Sequence, residues 1–330
     1  MFWHRFRIRN KNMVNYHKGK IGVLMGGPSE EREISLKSGK AVYQTLKEAG
    51  LDVLPIIIEN GNIEENIQKI KDAKIDVAFI ALHGRFGEDG TIQSILDSLN
   101  IPYTGSGVLA SKLALDKVSS HGRFLKAGLN VPSYTVVDKE QFDKDSFFKK
   151  ELNFPLVIKP ASQGSSIGLS IVEERQDLSK AIESAFGFDE KIIIEEYIKG
   201  RELTVGILDD KALPVIEIIP HRKFFDYTAK YTAGLTEYIV PASIDEILTE
   251  KVKNAGVAAH NTLGCFGFSR VDMILKDDLV YVLEVNTIPG LTETSLLPKA
   301  AKAAGIDFLQ LCLKIIDLAY LRTSSTAIKM

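Results

Sequence analysis

The feature that most constrains the fold is an alternation of short apolar runs and amphipathic segments between residues 19 and 117. The apolar runs are IGVLM, LDVLPIII and DVAFIAL, and the helical segments are the one that GGPSEEREIS opens and TIQSILDSL. Strands buried on both faces appear as continuous apolar runs, and helices between them make parallel crossovers. The pattern therefore predicts a parallel sheet with helices on both faces, and Ser29 is the expected N-cap of the first helix.

The pattern changes after this region. Residues 118–210 contain the strand-like runs VPSYTVV, FPLVIKP and IIIEEYI, with a charged helix predicted from Glu173 to Phe186. Residues 211–330 contain the run LPVIEII, a helix from about Ile244 to Leu263, a hairpin and two further helices. The polar segment 220–240 is longer than an ordinary connection, which is typical of a lid over an active site.

Composition excludes several classes of protein. With 330 residues, 45% of them hydrophobic and 25% charged, the chain has the make-up of a globular protein of two or three domains. Its net charge of −2 gives no overall attraction to nucleic acid or to a membrane surface. The two cysteines, Cys265 and Cys312, lack metal-ligand spacing and are expected to be reduced, as in a cytoplasmic protein.

The first 18 residues differ from the rest because they are basic and contain no acid. We expect a disordered extension there, since no apolar signal-like run is present. Salt-sensitive binding of nucleic acid through Arg5, Arg7 and Arg9 is the weaker alternative, because no basic surface continues the pattern. No apolar stretch in the chain reaches the roughly 18 residues of a membrane span.

A hairpin between Arg270 and Asn286 carries the clearest chemical signal. Its two apolar strands are joined by a polar turn; Asp272 lies on the first strand, and Glu284 and Asn286 lie two apart on the second. Alternate residues of a strand share a face, so the three side chains can meet. Oxygen ligands of this kind suit Mg²⁺ completed by phosphates. The alternative is a half-buried hairpin with a solvated edge.

A small-residue loop follows Lys159, which ends the apolar run PLVIK. The loop PASQGSSIG includes Ser165 and Ser166, and its N–H groups could surround phosphate oxygens beside the lysine charge. Neither the usual P-loop nor the dinucleotide fingerprint occurs, so phosphate binding would need another architecture. A surface turn after an edge strand is the alternative.

Three further regions of the sequence carry weaker signals. Glu195 and Glu196 end a β-run and, with Glu202 in the next strand, could contact adenine and ribose. His83 follows the run DVAFIAL, where open α/β sheets bind ligands, and could donate to a substrate carboxylate or cap the next helix. Lys230, in the long polar segment, could neutralise phosphate when a lid closes.

Taken in order, these motifs resemble the D-alanine–D-alanine ligases of the ATP-grasp superfamily. The matching stretches are GGPSEEREIS, HGRFGEDGT, YTGSG, LDK, IKPASQGSSIG, EEY with a glutamate five residues on, YTAKY, SRVD, LEVNTIPGLT and SLLP. The resemblance implies a mixed α/β and α+β chain with an ATP-grasp fold after a Rossmann-like N-terminal domain. The implied division is an extension (1–18), an N-terminal domain (19–117), a central lobe (118–210) and a C-terminal lobe (211–330).

The resemblance also implies a reaction. Two D-alanine molecules would be joined with ATP through an acyl phosphate, for peptidoglycan synthesis in the cytoplasm, with two Mg²⁺ or Mn²⁺ ions. D-lactate or D-serine as the acceptor is the alternative, and the pair Lys230-Tyr231 favours D-alanine. D-alanine is the implied partner, in a homodimer that binds neither nucleic acid nor membrane.

The resemblance assigns roles to individual residues. The implied metal ligands are Asp272, Glu284 and Asn286. The implied nucleotide contacts are Lys117, Lys159, Glu195, Glu196, Tyr197, Ile198, Glu202 and Lys230. The implied substrate and catalytic residues are Glu31, His83, Ser165, Ser166, Tyr231, Arg270, Gly290, Ser295 and Leu296. Among these, Glu31, Ser165 and Tyr231 resemble a hydrogen-bonded triad, Arg270 and the Gly290 N–H an oxyanion site, and Ser295 and Leu296 a carboxylate site at a helix N-terminus.

Overall fold

The computed structural model describes residues 19–149, 151–220 and 236–327. The basic extension predicted at 1–18 lies outside the described residues, as does most of the predicted lid, including Lys230 and Tyr231. Within the described residues, no helix is both long and apolar enough to cross a membrane.

The N-terminal region forms the predicted parallel sheet. Its strands are β1 (Ile21–Gly26), β2 (Val53–Ile58) and β3 (Val77–Ile80), in the order β2-β1-β3, and its helices are α1 (Arg32–Glu48), α2 (Ile63–Ala73) and α3 (Thr91–Ser98). The expected N-cap is wrong by two residues: α1 begins at Arg32 and its N-cap is Glu31. A turn closed by the Arg32 N–H and the Ser29 carbonyl precedes the helix, and the Ser29 hydroxyl accepts the Glu31 N–H at 3.3 Å and donates to the His83 carbonyl at 2.7 Å.

Both faces of this sheet are buried. Alternate residues of β1 point to opposite sides, so Val23 packs in a cluster with Leu46 of α1 and Leu24 in a cluster with Ile70 of α2. The first cluster also contains Ile315, which lies on the last helix, α10 (Phe308–Ala327). The C-terminal helix therefore completes the N-terminal core, and each fully buried Leu or Ile contributes about 1.5–3 kcal/mol.

A second sheet is antiparallel, in the order β4-β7-β5-β6. Its strands are β4 (Tyr134–Asp138), β5 (Leu156–Pro160), β6 (Ser170–Val172) and β7 (Lys191–Glu196), and the nearby helices are α4 (Val108–Leu115), α5 (Lys117–Lys126), α6 (Lys144–Phe147) and α7 (Leu178–Phe186). The helix predicted from Glu173 is shorter than expected. A 3₁₀ turn occupies Arg175–Asp177 after the extended Glu174, and α7 begins only at Leu178.

The third sheet has the order β11-β10-β8-β12-β13, with β9 paired to β8. Its strands are β8 (Arg201–Leu208), β9 (Lys211–Ala212), β10 (Ile216–Pro220), β11 (Thr236–Ile239), β12 (Phe268–Lys276) and β13 (Leu279–Asn286), and its helices are α8 (Glu246–Thr262) and α9 (Leu296–Ala303). The segment predicted as loop at 220–240 is partly strand, since Pro220 pairs with Thr236. Although β8 precedes residue 211, it lies between β10 and β12; the domain limits stay a prediction.

One face of this third sheet is apolar and packs on α8. Val205, Val271 and Val285 contribute side chains from three neighbouring strands, and Val252 and Ala259 contribute from the helix. Because side chains alternate along each strand, the residues between these valines point to the opposite face. That opposite face is where the polar residues of the hairpin lie.

Candidate active site

The hairpin residues meet on the polar face of the third sheet. Asp272 pairs with Glu284 on one side and with Thr204 of β8 on the other. Arg270, two residues before Asp272, pairs with Asn286, two residues after Glu284. The alternation of strand residues therefore brings together the four hairpin side chains that the sequence singled out, and adds Thr204, which it did not.

Asp272 is held by three donors. The Arg270 guanidinium donates from Nε to Oδ1 at 2.8 Å and from Nη2 to Oδ2 at 2.6 Å, and the Thr204 hydroxyl donates to Oδ1 at 2.7 Å. Two-pronged arginine–carboxylate pairs are among the strongest charge-assisted hydrogen bonds and fix the geometry of both groups. The positive charge of Arg270 is thus fixed along the sheet surface beside Asp272.

Lys117 connects the hairpin with the small-residue loop. Its Nζ lies 3.3 Å from Glu284 Oε2 and donates to the Gln163 carbonyl at 2.6 Å. Lys117 is the first residue of α5, whose N-cap Asp116 accepts the N–H groups of Val118 and Ser119. This cap fixes the start of the helix, so the buried ammonium is fixed between the two elements.

The metal-ligand set is a partial one. Asp272 and Glu284 face each other across the hairpin, and the Asn286 amide oxygen accepts the Ile288 N–H at 3.0 Å. Among the described residues, no three His, Cys, Asp or Glu side chains are grouped to hold a metal ion. Two carboxylates and an amide would leave positions for other oxygen ligands, which is how Mg²⁺ binds beside phosphates.

Lys159 is paired with an acid in the middle sheet. Its Nζ lies 2.7 Å from Glu195 Oε2, and both side chains are buried. The expected contact of the Glu195 side chain with nucleotide has no support here, because this carboxylate faces the lysine. Glu196 is exposed, and its N–H donates to the Ser133 carbonyl, while the Tyr197 N–H donates to the Pro155 carbonyl.

The remaining nucleotide candidates lie at the border of the two lobes. Ile198 is buried just after β7, and Glu202 is half-buried on β8, two residues before Thr204. Glu202 therefore shares the polar face of the third sheet with Thr204 and Asp272. Burial raises the pKa of Tyr238 on β11, and the Glu202 carboxylate contributes in the same direction.

Glu31 joins the N-terminal domain to the small-residue loop. The Ser165 hydroxyl donates to its carboxylate. Two glycines lie against the same carboxylate: a Cβ at Gly84 would be 2.7 Å from Glu31 Oε2, and one at Gly164 would be 3.0 Å away. Only residues without a side chain allow so close an approach. Ser165 and the neighbouring Ser166 both have left-handed backbones, with φ of 51° and 58°.

His83 is buried beside α1. Its Nε2 lies 3.1 Å from the Ser38 hydroxyl, which also accepts the Leu291 N–H. Burial, with a smaller contribution from the Arg270 charge, lowers the pKa of His83 to about 4 against a hydrogen bond with the Ile288 backbone that raises it, so the ring is neutral at neutral pH. A neutral ring can donate a hydrogen bond to a substrate carboxylate but cannot form an ion pair with it.

The start of α9 is open for an anion. Ser295 is its N-cap and makes no side-chain capping bond; its hydroxyl instead accepts the Thr292 N–H at 3.1 Å. Leu296 is the first helical residue, and a Cβ at Gly290 would lie 2.9 Å from the Ser295 hydroxyl. The loop with the Gly290 N–H therefore lies beside a helix N-terminus, where backbone N–H groups attract negative charge.

Family models match along almost the whole of this framework. The D-ala D-ala ligase N-terminus matches residues 20–66 and 59–106, and the D-ala D-ala ligase C-terminus matches residues 124–317. The chain belongs to the D-alanine–D-alanine ligase family. The family predicted from the motifs is confirmed, as is the ATP-grasp fold class.

Similar proteins agree with this assignment. The D-alanine–D-alanine ligase of Geotalea uraniireducens is 47% identical over 306 residues, which cover 92% of this chain and 97% of that protein. The ligase of Syntrophotalea carbinolica is 46% identical over 303 residues, with 92% and 97% covered.

Two solved structures extend the comparison. The D-alanine–D-alanine ligase of Bacillus anthracis complexed with ATP has a TM-score of 0.80 and 38% identity, covering 94% of this chain and 99% of that one. The VanG D-Ala:D-Ser ligase of Enterococcus faecalis has a TM-score of 0.77 and 34% identity, covering 91% and 99%.

The ligase site contains a carboxyl group that the sequence reasoning missed. Glu88 accepts the Gly84 N–H at 2.7 Å and the Ile288 N–H at 3.3 Å, so it joins the loop after β3 to the loop after β13. Burial, with smaller contributions from the nearby charges of Glu31 and Glu284, raises its pKa to about 8. Its place in the motif HGRFGEDG was the available signal.

Proposed function

We propose that this ligase joins two D-alanine molecules with ATP, by way of a D-alanyl phosphate, to make a peptidoglycan precursor. The observation that carries the proposal is the polar face of the third sheet. It gathers Asp272, Glu284, Asn286 and Arg270, with Lys117 beside them and Ser295 at the nearby helix start. Acids, cations and a free helix N-terminus in one place suit phosphoryl transfer to a carboxylate.

Nucleotide would bind between the second and third sheets. Lys117 and Lys159 are buried ammonium groups that can pair with phosphates, and Lys230 would join them from the lid. Glu202 would contact the ribose, and the backbone at Glu196, Tyr197 and Ile198 the adenine. Glu195 would act indirectly, by holding Lys159. The related Bacillus anthracis ligase, which was solved with ATP, supports this use of the nucleotide.

Two divalent cations, Mg²⁺ or Mn²⁺, would be held by Asp272, Glu284 and Asn286. The donors fit, because all three side chains offer oxygen and two of them lie opposite each other on paired strands. Bound there, the ions would offset the charge that develops on the transferring phosphoryl group. Arg270 and Lys117 already contact the two acids and would supply further positive charge at the same face.

The carboxylate of the first D-alanine would attack the γ-phosphorus of ATP, and ADP would leave. Glu31 would hold the ammonium of that molecule, and neutral His83 would donate to its carboxyl group. The amine of the second D-alanine would then attack the acyl carbon, lose a proton and displace inorganic phosphate. Arg270 and the Gly290 N–H would stabilise the oxyanion, and Ser295 and Leu296 would hold the second carboxylate.

Acceptor choice has a direct test. Purified protein is incubated with ATP, Mg²⁺, D-alanine and either D-serine, D-lactate or L-alanine, and ADP and the joined products are measured by mass spectrometry. D-alanyl-D-alanine should dominate, since the relatives of 46–47% identity are D-alanine–D-alanine ligases, whereas the D-Ala:D-Ser ligase has 34% identity. A mixed product with D-serine or D-lactate in excess would reverse the acceptor assignment.

The family resemblance also leads us to propose a cytoplasmic homodimer. Analytical ultracentrifugation of the purified protein would give the mass of the assembly. A single species of about twice the chain mass of 36.5 kDa is expected, and a species at the chain mass would contradict the dimer.

A further inference from the structure

A buried series of polar contacts begins at Lys159, one of the lysines proposed to bind phosphate. Lys159 Nζ lies 2.7 Å from Glu195 Oε2, and Glu195 Oε1 lies 3.5 Å from His121 Nδ1. The other ring nitrogen, His121 Nε2, lies 2.9 Å from the Leu283 carbonyl on β13. His121 has no exposed surface and Glu195 is 2% exposed. These contacts therefore link the second sheet to the strand that carries Glu284.

The two ring nitrogens of His121 both face acceptors. A carbonyl oxygen can only accept, so Nε2 must carry the proton that reaches Leu283. A neutral imidazole then has no proton on Nδ1, which faces a carboxylate oxygen. Within the described part of the chain, neither Nδ1 nor Glu195 Oε1 has a hydrogen-bond partner. One proton on Nδ1 would pair both atoms at once.

We propose that His121 is a positioning residue for the nucleotide site: it holds Glu195, and through Glu195 the ammonium of Lys159, against β13. The inference rests on the proposed phosphate role of Lys159. His121 lies one helical turn after Lys117 on α5, so a single helix face contacts both Leu283 and Glu284. Moving His121 would therefore disturb Lys159, while Lys117 stays in place at the helix start that Asp116 caps through the Val118 and Ser119 N–H groups.

The charges around the ring make this contact respond to phosphate. Burial lowers the pKa of His121, the Glu195 carboxylate raises it, and the ammonium groups of Lys159 and Lys117 lower it. Tyr134 of β4 meets the ring edge-on at 5.3 Å between centroids. Phosphate groups paired with the two lysines would weaken their effect on the ring. Bound nucleotide thus favours a donor at Nδ1.

Two amide variants separate the two ring contacts. The Asn side chain places its amide at the distance of Nδ1 from the backbone, whereas the Gln side chain places its amide at the distance of Nε2. In His121→Asn a permanent N–H donor faces Glu195, and in His121→Gln the donor faces Leu283 instead. Calorimetric titration gives the Kd for ATP without D-alanine, and steady-state assays give the KM for D-alanine.

We expect His121→Gln and His121→Ala to weaken ATP binding about tenfold, which is about 1.4 kcal/mol, because Glu195 and Lys159 lose the contact that positions them. His121→Asn should bind ATP close to the wild-type Kd, and the KM for D-alanine should stay unchanged in all three. The matched control is His260→Asn, which removes another buried histidine, hydrogen-bonded to Ser269. It should lower Tm and leave the Kd for ATP unchanged.

The contrary results are distinct. His121→Gln binding ATP as the wild type does, or His121→Asn binding as weakly as His121→Ala, would overturn the positioning role. If His121→Ala does not fold, the comparison of the two amide variants still decides. Lys159→Ala with an unchanged Kd for ATP would instead remove the proposed phosphate role of the lysine. If Lys159→Ala binds ATP more weakly and both amide variants bind ATP normally, the role of His121 is refuted and the phosphate role of Lys159 stands.

Discussion

The N-terminal sheet and the third sheet use their strands in opposite ways. Strands β1 and β3 are buried throughout, with apolar side chains on both faces, and their polar residues lie in the loops that follow them, at Glu31 and His83. Strands β12 and β13 bury one face on α8 and carry acids and an arginine on the other. Parallel strands covered by helices leave only their ends for chemistry, whereas an antiparallel sheet can use a whole face.

This difference predicts which substitutions change stability and which change catalysis. Along the hairpin, one residue packs in the core and its neighbour lines the site, because side chains alternate between the two faces. In β1 and β3 of the N-terminal sheet every strand residue is buried. Substitutions at adjacent positions of β13 should therefore affect different measurements, and substitutions in β3 should affect stability alone.

The largest effect is expected at Glu284. Glu284→Gln keeps the size of the side chain and removes the charge that faces Lys117 and Asp272, so kcat should fall by about a thousandfold or more, since ion and charge effects at a phosphoryl site contribute several kcal/mol. The measurement is ADP release with D-alanine and ATP. Val282→Ala is the control, with lower Tm and nearly normal kcat, because a bulge at Leu283 turns the buried Val282 to the face that packs on α8. Near-normal turnover by Glu284→Gln would contradict the role of the polar face.

Phe79 tests the N-terminal sheet. It lies on β3 with no exposed surface, in the cluster that includes α1 and α10. Phe79→Ala should lower the free energy of unfolding by about 3–5 kcal/mol, because removing a buried aromatic ring leaves a cavity. Urea denaturation measures this, and kcat of the folded fraction should stay near the wild-type value. A large loss of kcat without loss of stability would place chemistry in this sheet.

Arg270 should show an intermediate effect. Arg270→Lys keeps a positive charge but loses the two-pronged contact with Asp272, so kcat should fall by about a hundredfold. Steady-state kinetics at saturating ATP and D-alanine give the value. Arg201→Lys is a matched control, because Arg201 makes a similar two-pronged contact with Glu217 and shares the face of Val205, opposite to the polar face. If both variants lose equal activity, the effect is not specific to the hairpin.

The smallest effect is expected at His260 of α8, and it concerns the pH dependence of stability. Burial lowers the pKa of His260 to about 4, so between pH 4 and 6.5 the folded protein binds fewer protons than the unfolded chain. His260 therefore contributes stability that is present above pH 6.5 and lost as the pH falls towards 4. His260→Asn should flatten the dependence of the free energy of unfolding on pH in this window. An unchanged slope would show that His260 does not titrate as its burial requires.

The sequence predicts local structure and the hairpin well, because both depend on period and on nearby residues. The meeting of Asp272, Glu284 and Asn286 follows from alternation along two strands joined by a short turn. The prediction of Ser29 as the N-cap was wrong because a turn from Ser29 to Arg32 precedes the helix, and the Ser29 hydroxyl is tied to His83, 54 residues away. The prediction of a loop over residues 220–240 was wrong in part because Pro220 and Thr236 pair as strands.

The partners of the site residues were harder to predict because they come from distant parts of the chain. Glu195 was expected to face nucleotide, yet Lys159 is its diagonal neighbour across β5 and β7, and the pair is buried. Thr204 carries no signal of its own and Glu88 only its place in a motif, since each becomes important only when loops or strands far apart in sequence meet. Pattern and spacing identify which residues can do chemistry, and tertiary contacts decide what holds them.

The most direct test follows oxygen atoms from substrate to product. D-alanine labelled with ¹⁸O in its carboxylate is incubated with ATP and the ligase, and the inorganic phosphate is analysed by mass spectrometry. If the polar face of the third sheet directs phosphoryl transfer to the carboxylate, each phosphate released with dipeptide carries one ¹⁸O atom. Unlabelled phosphate formed in equal amount with D-alanyl-D-alanine would show that no D-alanyl phosphate is made there.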